Sequence, residues 1–411
     1  IAHLKEGKPL GLFPAGEVSV TKEGQLMVDK PWEEAAMKLA KKAKVPIVPI
    51  YFHAKNSKLF YFLASLSDTL RTAKLPSELL TQKQRTIYIR IGKPISVTMQ
   101  DEHTDLADFT EFLRKKTYIL ANAFEQDKKF LPLPNVLKSN KGTPNPQQIE
   151  APIQQDLIEK EVENVTKKDY RLLKNNNYEV FLAPYQEIPN IMKEIGRLRE
   201  ITFREVGEGT NASSDVDKFD LYYHHLFLWD NEAKKIAGAY RMGLGAEIFP
   251  KYGIEGFYTH DLFRFEPELY DMMSKTIEMG RAFIISEYQQ KPMPLFLLWK
   301  GIAHTTLRYP EHSYLLGSVS ISNQFSNFSK SLMIEFMNFY DPYIAQYVRP
   351  KKEFKVKLKD EDKDFIFDES KADLNKFDKL IDELEPGNLR LPVLIKKYIK
   401  QNAKVIAFNV D

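Results

Sequence analysis

The feature that most limits what this chain can fold into is a break. From Phe130 to Gln155 it reads FLPLPNVLKSNKGTPNPQQIEAPIQQ, rich in Pro, Asn, Gln and Gly and without apolar periodicity. Proline removes a backbone donor and fixes φ, so such a stretch neither continues a helix nor joins a sheet. The break divides 411 residues into two parts of ordinary domain size. The expected organisation is a first domain over 1–126, a linker over 127–168 carrying a weak helix from Asp156 to Val165, and a second domain over 169–411.

Strand-like and helix-like runs alternate on both sides. In the first part Leu10 to Phe13, Ile47 to Phe52 and Thr86 to Ile91 read as strands, while Trp32 to Ala43 and Leu106 to Ala123 carry helical spacing. In the second, strands at Tyr178 to Leu182, Leu226 to Asp230 and Lys235 to Leu244 accompany a helix from Ile188 to Phe203. The chain ends with a helix from Arg390 to Gln401 and a strand from Lys404 to Asn409. Both parts are therefore expected to be α/β, with sheets covered by helices.

Composition narrows the function. Hydrophobic residues make up 43%, enough for two cores, and 59 Lys and Arg against 56 Asp and Glu leave only +3. That balance argues against wrapping a polyanion, so no nucleic-acid partner is expected. With no cysteine there is no disulfide, no thiolate metal centre and no thiol nucleophile. No His, Asp or Glu cluster has metal-ligand spacing, and no metal is expected. The most apolar run, Leu59 to Leu66, falls far short of the ~20 residues that span a bilayer.

Two motifs carry chemistry. The first is Phe13-Pro14-Ala15-Gly16-Glu17-Val18-Ser19, an apolar run halted by a Pro-x-Gly turn that leaves an acid where α/β proteins place ligands. By its residues alone it is equally an ordinary turn with an exposed glutamate. It resembles the Phe-Pro-Glu-Gly-Thr-Arg-Ser block of glycerolipid acyltransferases of the lysophosphatidic acid acyltransferase type, in the variant found in hemolysin-like proteins. Lys44 to Ile50 (KVPIVPI), Asn56-Ser57 and Ile91-Gly92-Lys93-Pro94-Ile95 resemble later blocks of that family in the same order. The resemblance implies that Gly16, Glu17 and Ser19 bind the polar head of an acceptor. That family carries a His-x4-Asp pair before the block, in which His deprotonates a hydroxyl and Asp orients it. The pair is expected upstream of Ile1, so the chain as given is not expected to acylate a hydroxyl. Two downstream strings, His103 with Asp108 and His225 with Asp230, read as accidental.

The second constellation lies between Gly196 and Arg281. It comprises the Arg-rich segment Gly196 to Arg204, then Asp217 and Asp220, Arg241 on a strand, and Glu278 with Arg281. These groups read either as a buried ion network or as a site. Their order resembles the amino-acid N-acyltransferases that make ornithine and related aminolipids, which share a GNAT-type fold with acyl-homoserine-lactone synthases. Leu297 to Ile302 and Gly317 to Ser322 extend the likeness. Attack of an amine on an acyl thioester needs a base or water relay and donors for the oxyanion. The resemblance implies Glu278, then Asp217 and Asp220, as base or amine orienter, and Arg199 and Arg241 as carboxylate binders. Arg281 is expected to share a helix face with Glu278 and fix it by an ion pair. Tyr240 to Gly245 superficially resembles the pyrophosphate loop of coenzyme A-dependent GNAT enzymes, with Tyr240 where Arg or Gln would start it.

The expected fold is thus part of a glycerolipid-acyltransferase α/β domain followed by a GNAT-like, acyl-homoserine-lactone-synthase-like α/β domain. The implied protein is a fused aminolipid synthase, an acyltransferase without a bound cofactor, drawing its acyl group from acyl carrier protein or acyl-CoA. Its expected partners are acyl carrier protein, met through Lys234, Lys235, Lys291 and Lys300, together with an amino acid, a lipid or lyso-lipid acceptor and the inner face of the cytoplasmic membrane. Two alternatives stand beside it. One is a lysophospholipid acyltransferase with a carrier-binding second domain, the other a non-enzymatic, membrane-active hemolysin-like protein.

Overall fold

The computed structural model describes residues 2–22, 26–81, 86–121, 146–337, 342–356, 358, 373–385 and 389–410. Part of the expected linker, over 127–145, lies outside the described residues. Two compact units emerge. One comprises Ile1–Leu133, Ser326–Ser329 and Leu358–Leu391, the other Pro134–Phe325, Lys330–Lys357 and Pro392–Asp411. Residues 358–391 therefore group with the first unit, whereas the sequence reading kept 169–411 together. The reason lies in the helix Leu374–Leu384, whose Phe377, Leu380, Ile381 and Leu384 are buried. Its acids Asp382 and Glu383 pair with Lys93 and Lys116 of the first unit.

In the first unit β1 (Val20–Lys22) pairs with β2 (Leu26–Val28), and β3 (Ile50–His53) pairs antiparallel with β4 (Tyr88–Ile91). Helices Glu34–Ala43 and Leu106–Tyr118 bury Met37, Phe109, Phe112 and Leu113 against Ile95. Leu10 to Phe13 forms no strand, contrary to expectation. Leu10, Leu12 and Phe13 are exposed, and Pro14 and Gly16 turn the chain away before it can pair. Phe13 instead sets its ring 6.2 Å from that of Phe52.

The second unit is built on six strands: β5 (Arg171–Asn175), β6 (Tyr178–Pro184), β7 (His224–Asp230), β8 (Lys235–Leu244), β10 (Thr276–Ile284) and β11 (Tyr314–Gly317). Their order is β11-β10-β8-β7-β6-β5. Neighbours are antiparallel except β10 and β11, which run parallel. The small pair β9 (Phe263–Phe265) and β12 (Val348–Pro350) stands apart.

Alternation along the strands feeds two cores. Phe181, Phe227, Trp229 and Phe283 meet Ile158, Val162, Ile191 and Ile195 of helices Gln155–Lys167 and Pro189–Glu205 on one face. On the other, Val180, Leu182, Leu226, Leu228 and Met242 meet Leu297, Leu298 and Ile302 of helix Pro292–Arg308. The helix expected within the linker is thus part of the second unit's core. The expected terminal helix is Val393–Lys400, but 404–409 forms no strand beyond a single bridge between Glu353 and Asn409.

Candidate active site

The site of the second unit begins with a close approach. In helix Pro189–Glu205, a Cβ at Gly196 would lie 2.5 Å from Val216 and 2.7 Å from the Ser214 hydroxyl. Glycine lets the 214–216 segment lie on the helix, where the Asp215 amide donates to the Gly196 carbonyl at 3.1 Å. One turn on, Arg199 meets this segment. Its Nε donates to Asp215 at 3.0 Å, and both terminal nitrogens reach the Asp220 carboxylate at 3.0 and 2.8 Å. Asp217 and Asp220 are locked by a reciprocal capping box around the short turn Lys218–Leu221.

Arg241, 1% exposed on β8, donates to Asp217 at 2.6 Å and to Asp220 at 3.3 Å. Its guanidinium also lies 5.1–5.4 Å from the rings of Phe219, Tyr223 and Tyr258. One of its terminal nitrogens has no hydrogen-bond partner among the described residues.

The Glu278–Arg281 pair differs from expectation. Both residues lie on β10, a strand and not a helix, with a register irregularity between Gly280 and Phe283. Arg281 sits inside that bulge with φ +49°. The bulge turns it toward Asp215 and Asp217, at 3.7 and 3.6 Å. These are long, loose contacts, and Arg281 also lies 5.2 Å over the Tyr258 ring.

Glu278 makes other bonds. Its carboxylate accepts the amides of Tyr258 at 2.9 Å and Thr259 at 2.7 Å, and the Tyr223 hydroxyl. Three donors occupy a carboxylate that is 2% exposed. A Cβ at Gly243 would lie 2.4 Å from the Tyr223 ring, so that glycine gives the tyrosine its place. Tyr240 to Leu244 is strand β8 and not a phosphate loop, because Tyr240, Met242 and Leu244 are needed in the core.

The expected residues therefore converge on one ion cluster, with Glu278 joined to it through Tyr223. Their accessibility differs. Arg199, Asp220 and Arg241 are almost wholly buried, while the side chains of Arg281 and Asp217 are 23% and 27% exposed. Sequence reasoning missed Asp215 and the aromatic walls Phe219, Tyr223 and Tyr258. The acidic spacing of Asp215, Asp217 and Asp220 held a signal for the first of them.

Burial works against charge on Asp220, yet the Arg199 guanidinium and its hydrogen bonds, with Arg241, hold its carboxyl below the usual range. His225, 1% exposed, bonds the Asp220 carbonyl at 2.9 Å. Burial lowers its pKa to about 4, so it is neutral near pH 7. It is no partner of Asp230, which bonds Asn177 and Tyr288. From pH ~6.5 down to about 4 the unfolded chain takes up a proton that the folded state refuses, and stability falls as pH drops. The expected loss is on the order of 3 kcal/mol, absent above pH ~6.5. Urea midpoints at pH 7 and 4.5 check it: the drop should be smaller in His225→Gln, and an equal drop in both proteins would contradict it.

In the first unit Gly16 turns the chain with φ +65°. Glu17 then accepts from Lys30 at 2.8 Å and Arg71 at 2.6 Å, and the Lys30 bond leads in holding its carboxyl below the usual range. The Ser19 hydroxyl donates to Asp29. His103 does bond Asp108, at 2.8 Å, with its ring stacked 4.1 Å from Phe112.

Among the described residues no group of three or more His, Asp or Glu has the arrangement to hold a metal, and no helix is long and apolar enough to cross a membrane.

Residues 3–127 match the family model described as acyltransferase, and residues 198–299 match that of the acetyltransferase (GNAT) domain. A glycine N(alpha)-acyltransferase of Phocaeicola vulgatus is 29% identical over 266 residues, covering 62% of this chain and 80% of that protein. A protein of the same name from Bacteroides thetaiotaomicron is 28% identical over 62% of this chain and 77% of its own length. A lyso-glycine lipid O-acyltransferase of P. vulgatus is 28% identical over 115 residues, 26% of this chain and 41% of that protein. The chain is an enzyme that transfers acyl groups, with an acyltransferase domain followed by a GNAT domain.

Proposed function

We propose that the second unit moves a fatty acyl group from a thioester to the amine of a small amino acid, glycine foremost, and that the first unit belongs to esterification of the resulting lyso-lipid in aminolipid synthesis. The observation that carries this reading is the parting of β10 from β11, next to the bulge that turns Arg281 toward Asp215 and Asp217. Pairing of β10 with β11 ends at Met279 and Gly317, and the chain beyond runs to the 206–208 loop, where Ser320 donates to Glu208 at 2.6 Å. The edge of β10 past Met279 is thereby offered to an extended ligand, beside Arg281 and Asp217. Names of the relatives support glycine over ornithine, and the Tyr258 ring against Arg281 favours a small acceptor.

In this reading Arg281 holds the amino acid's carboxylate and Asp217 its ammonium. The ammonium passes a proton to water, and the nitrogen bonds the thioester carbon. The tetrahedral oxyanion collapses, the C–S bond breaks, and the departing sulfur leaves as a thiol carrying the second proton. Backbone donors on the β10 edge stabilise the oxyanion. Glu278, held by three donors, positions Tyr258 and Tyr223 around the two arginines. Acyl carrier protein is the proposed donor and the inner face of the cytoplasmic membrane the proposed place of work.

The absence of cysteine makes the test direct, since any free thiol released from acyl carrier protein or coenzyme A comes from the donor. Thiol release should depend on glycine, exceed that with ornithine and be faster from the carrier protein. Release independent of any amino acid would overturn the proposal.

A further inference from the structure

Residues 146–153 read in the sequence as part of a linker, and the chemistry above makes no use of them. They lie along the loop that leads to Asp215. The Gln147 amide donates to the Asn211 carbonyl at 2.9 Å, and the Glu150 amide to the Ser213 carbonyl at 3.1 Å. Side chains complete the pairing. Gln147 Oε1 accepts the Ser213 amide at 3.1 Å, and the Ser213 hydroxyl donates to Glu150 at 3.1 Å. The strap is anchored at Ile153, which packs against the core around helix Pro189–Glu205 and whose amide donates to Glu194 at 3.2 Å.

Helix Pro189–Glu205 grips the same loop by other groups. Glu200, wholly buried, accepts the Thr210 amide and hydroxyl at 3.0 and 2.7 Å and the Asn211 amide at 2.8 Å. Arg204 donates to Glu200 at 2.7 Å, to the Gln147 carbonyl at 2.9 Å and to the Ala212 carbonyl. One arginine thus ties helix, loop and strap together. Ser213, held by the strap, stands two residues before Asp215 and four before Asp217, the carboxylates that face Arg281 at 3.7 and 3.6 Å. Small displacements of groups that position a substrate are costly to a reaction, so a loop that carries such groups gains from being fixed along its length.

We propose that Gln147 is a positioning residue for the amino-acid site: by accepting the Ser213 amide it fixes the loop and, through it, sets Asp215 and Asp217 against Arg281. This role rests on the reading in which Arg281 and Asp217 hold the amino acid. It extends the site to a residue well outside 198–299, the stretch that matches the GNAT domain.

Two variants of the full chain test it. Gln147→Leu removes the acceptor, whereas Gln147→Glu keeps one at the same reach. The Leu variant should raise the KM for glycine about three- to tenfold, the scale of one neutral hydrogen bond, with kcat within about twofold of the parent's. Its melting temperature should stay unchanged, because Gln147 is exposed. The Glu variant should behave as the parent does. Amide hydrogen exchange without any substrate should quicken over 210–215 in the Leu variant and not in the Glu variant. An unchanged KM in the Leu variant, a Glu variant as impaired as the Leu variant, or a KM rise that only follows a lower melting temperature overturns the proposal. Failure of the functional reading looks different. The parent then releases no thiol in response to glycine, the site role falls with that reading, and the exchange comparison still decides whether Gln147 fixes the loop.

Discussion

Replacing Arg281 by Asn should raise the KM for the amino acid about 10²-fold while thermal stability stays near that of the parent. Asn tolerates the left-handed backbone that Arg281 occupies, so the variant tests the charge and not the turn. Charge-assisted hydrogen bonds to a carboxylate contribute about 1.5–3 kcal/mol, which sets the scale of the loss. Arg281 is the arginine whose protein contacts are loose, at 3.6 and 3.7 Å, so few bonds are lost on its removal. Glycine titrations at saturating acyl donor measure the effect. An unchanged KM, or a loss of activity that only follows a lower melting temperature, would contradict it.

Asp220 makes the opposite case. Asp220→Asn leaves Arg199 and Arg241 buried with part of their compensating charge gone, and breaking a buried pair in this way costs about 3–5 kcal/mol. For a unit of this size that is a fall of about 10 °C in melting temperature. Activity measured well below the new transition should fall less steeply than stability, because Asp220 is 0% exposed and reaches the site only through the arginines. A melting temperature within a degree or two of the parent's would show that the cluster does not hold the second unit together.

Much of this was legible in the sequence. β8 runs from Lys235 to Leu244 as its hydrophobic pattern predicts, and helix 188–203 is found at 189–205. Periodicity identifies such elements because both of their surroundings are set by burial. It failed where the partner, not the pattern, decides. Leu10 to Phe13 is apolar but has no strand beside it, and Lys404 to Asn409 has only one bridge. The three-residue spacing of Glu278 and Arg281 suggested a helix face, but Thr276 and Ile277 begin a strand. A bulge then placed Arg281 against Asp215 instead of Glu278.

The site shows the same division. Arg199, Asp217, Asp220, Arg241, Glu278 and Arg281 span more than eighty positions and still gather, because charge buried without partners would cost several kcal/mol. Which of them stay accessible was not legible. That depends on the turn Lys218–Leu221, on Gly196 and on the bulge, each a matter of backbone path.

The most direct test of the account is the product itself. Incubating the chain with an acyl-carrier-protein thioester and isotopically labelled glycine should yield one labelled product with the mass of an N-acylglycine. Its linkage should survive mild alkali, as an amide does, and Arg281→Asn should form it far more slowly at low glycine. No labelled lipid, or a product that mild alkali cleaves as an ester, would contradict N-acyl transfer by the second unit.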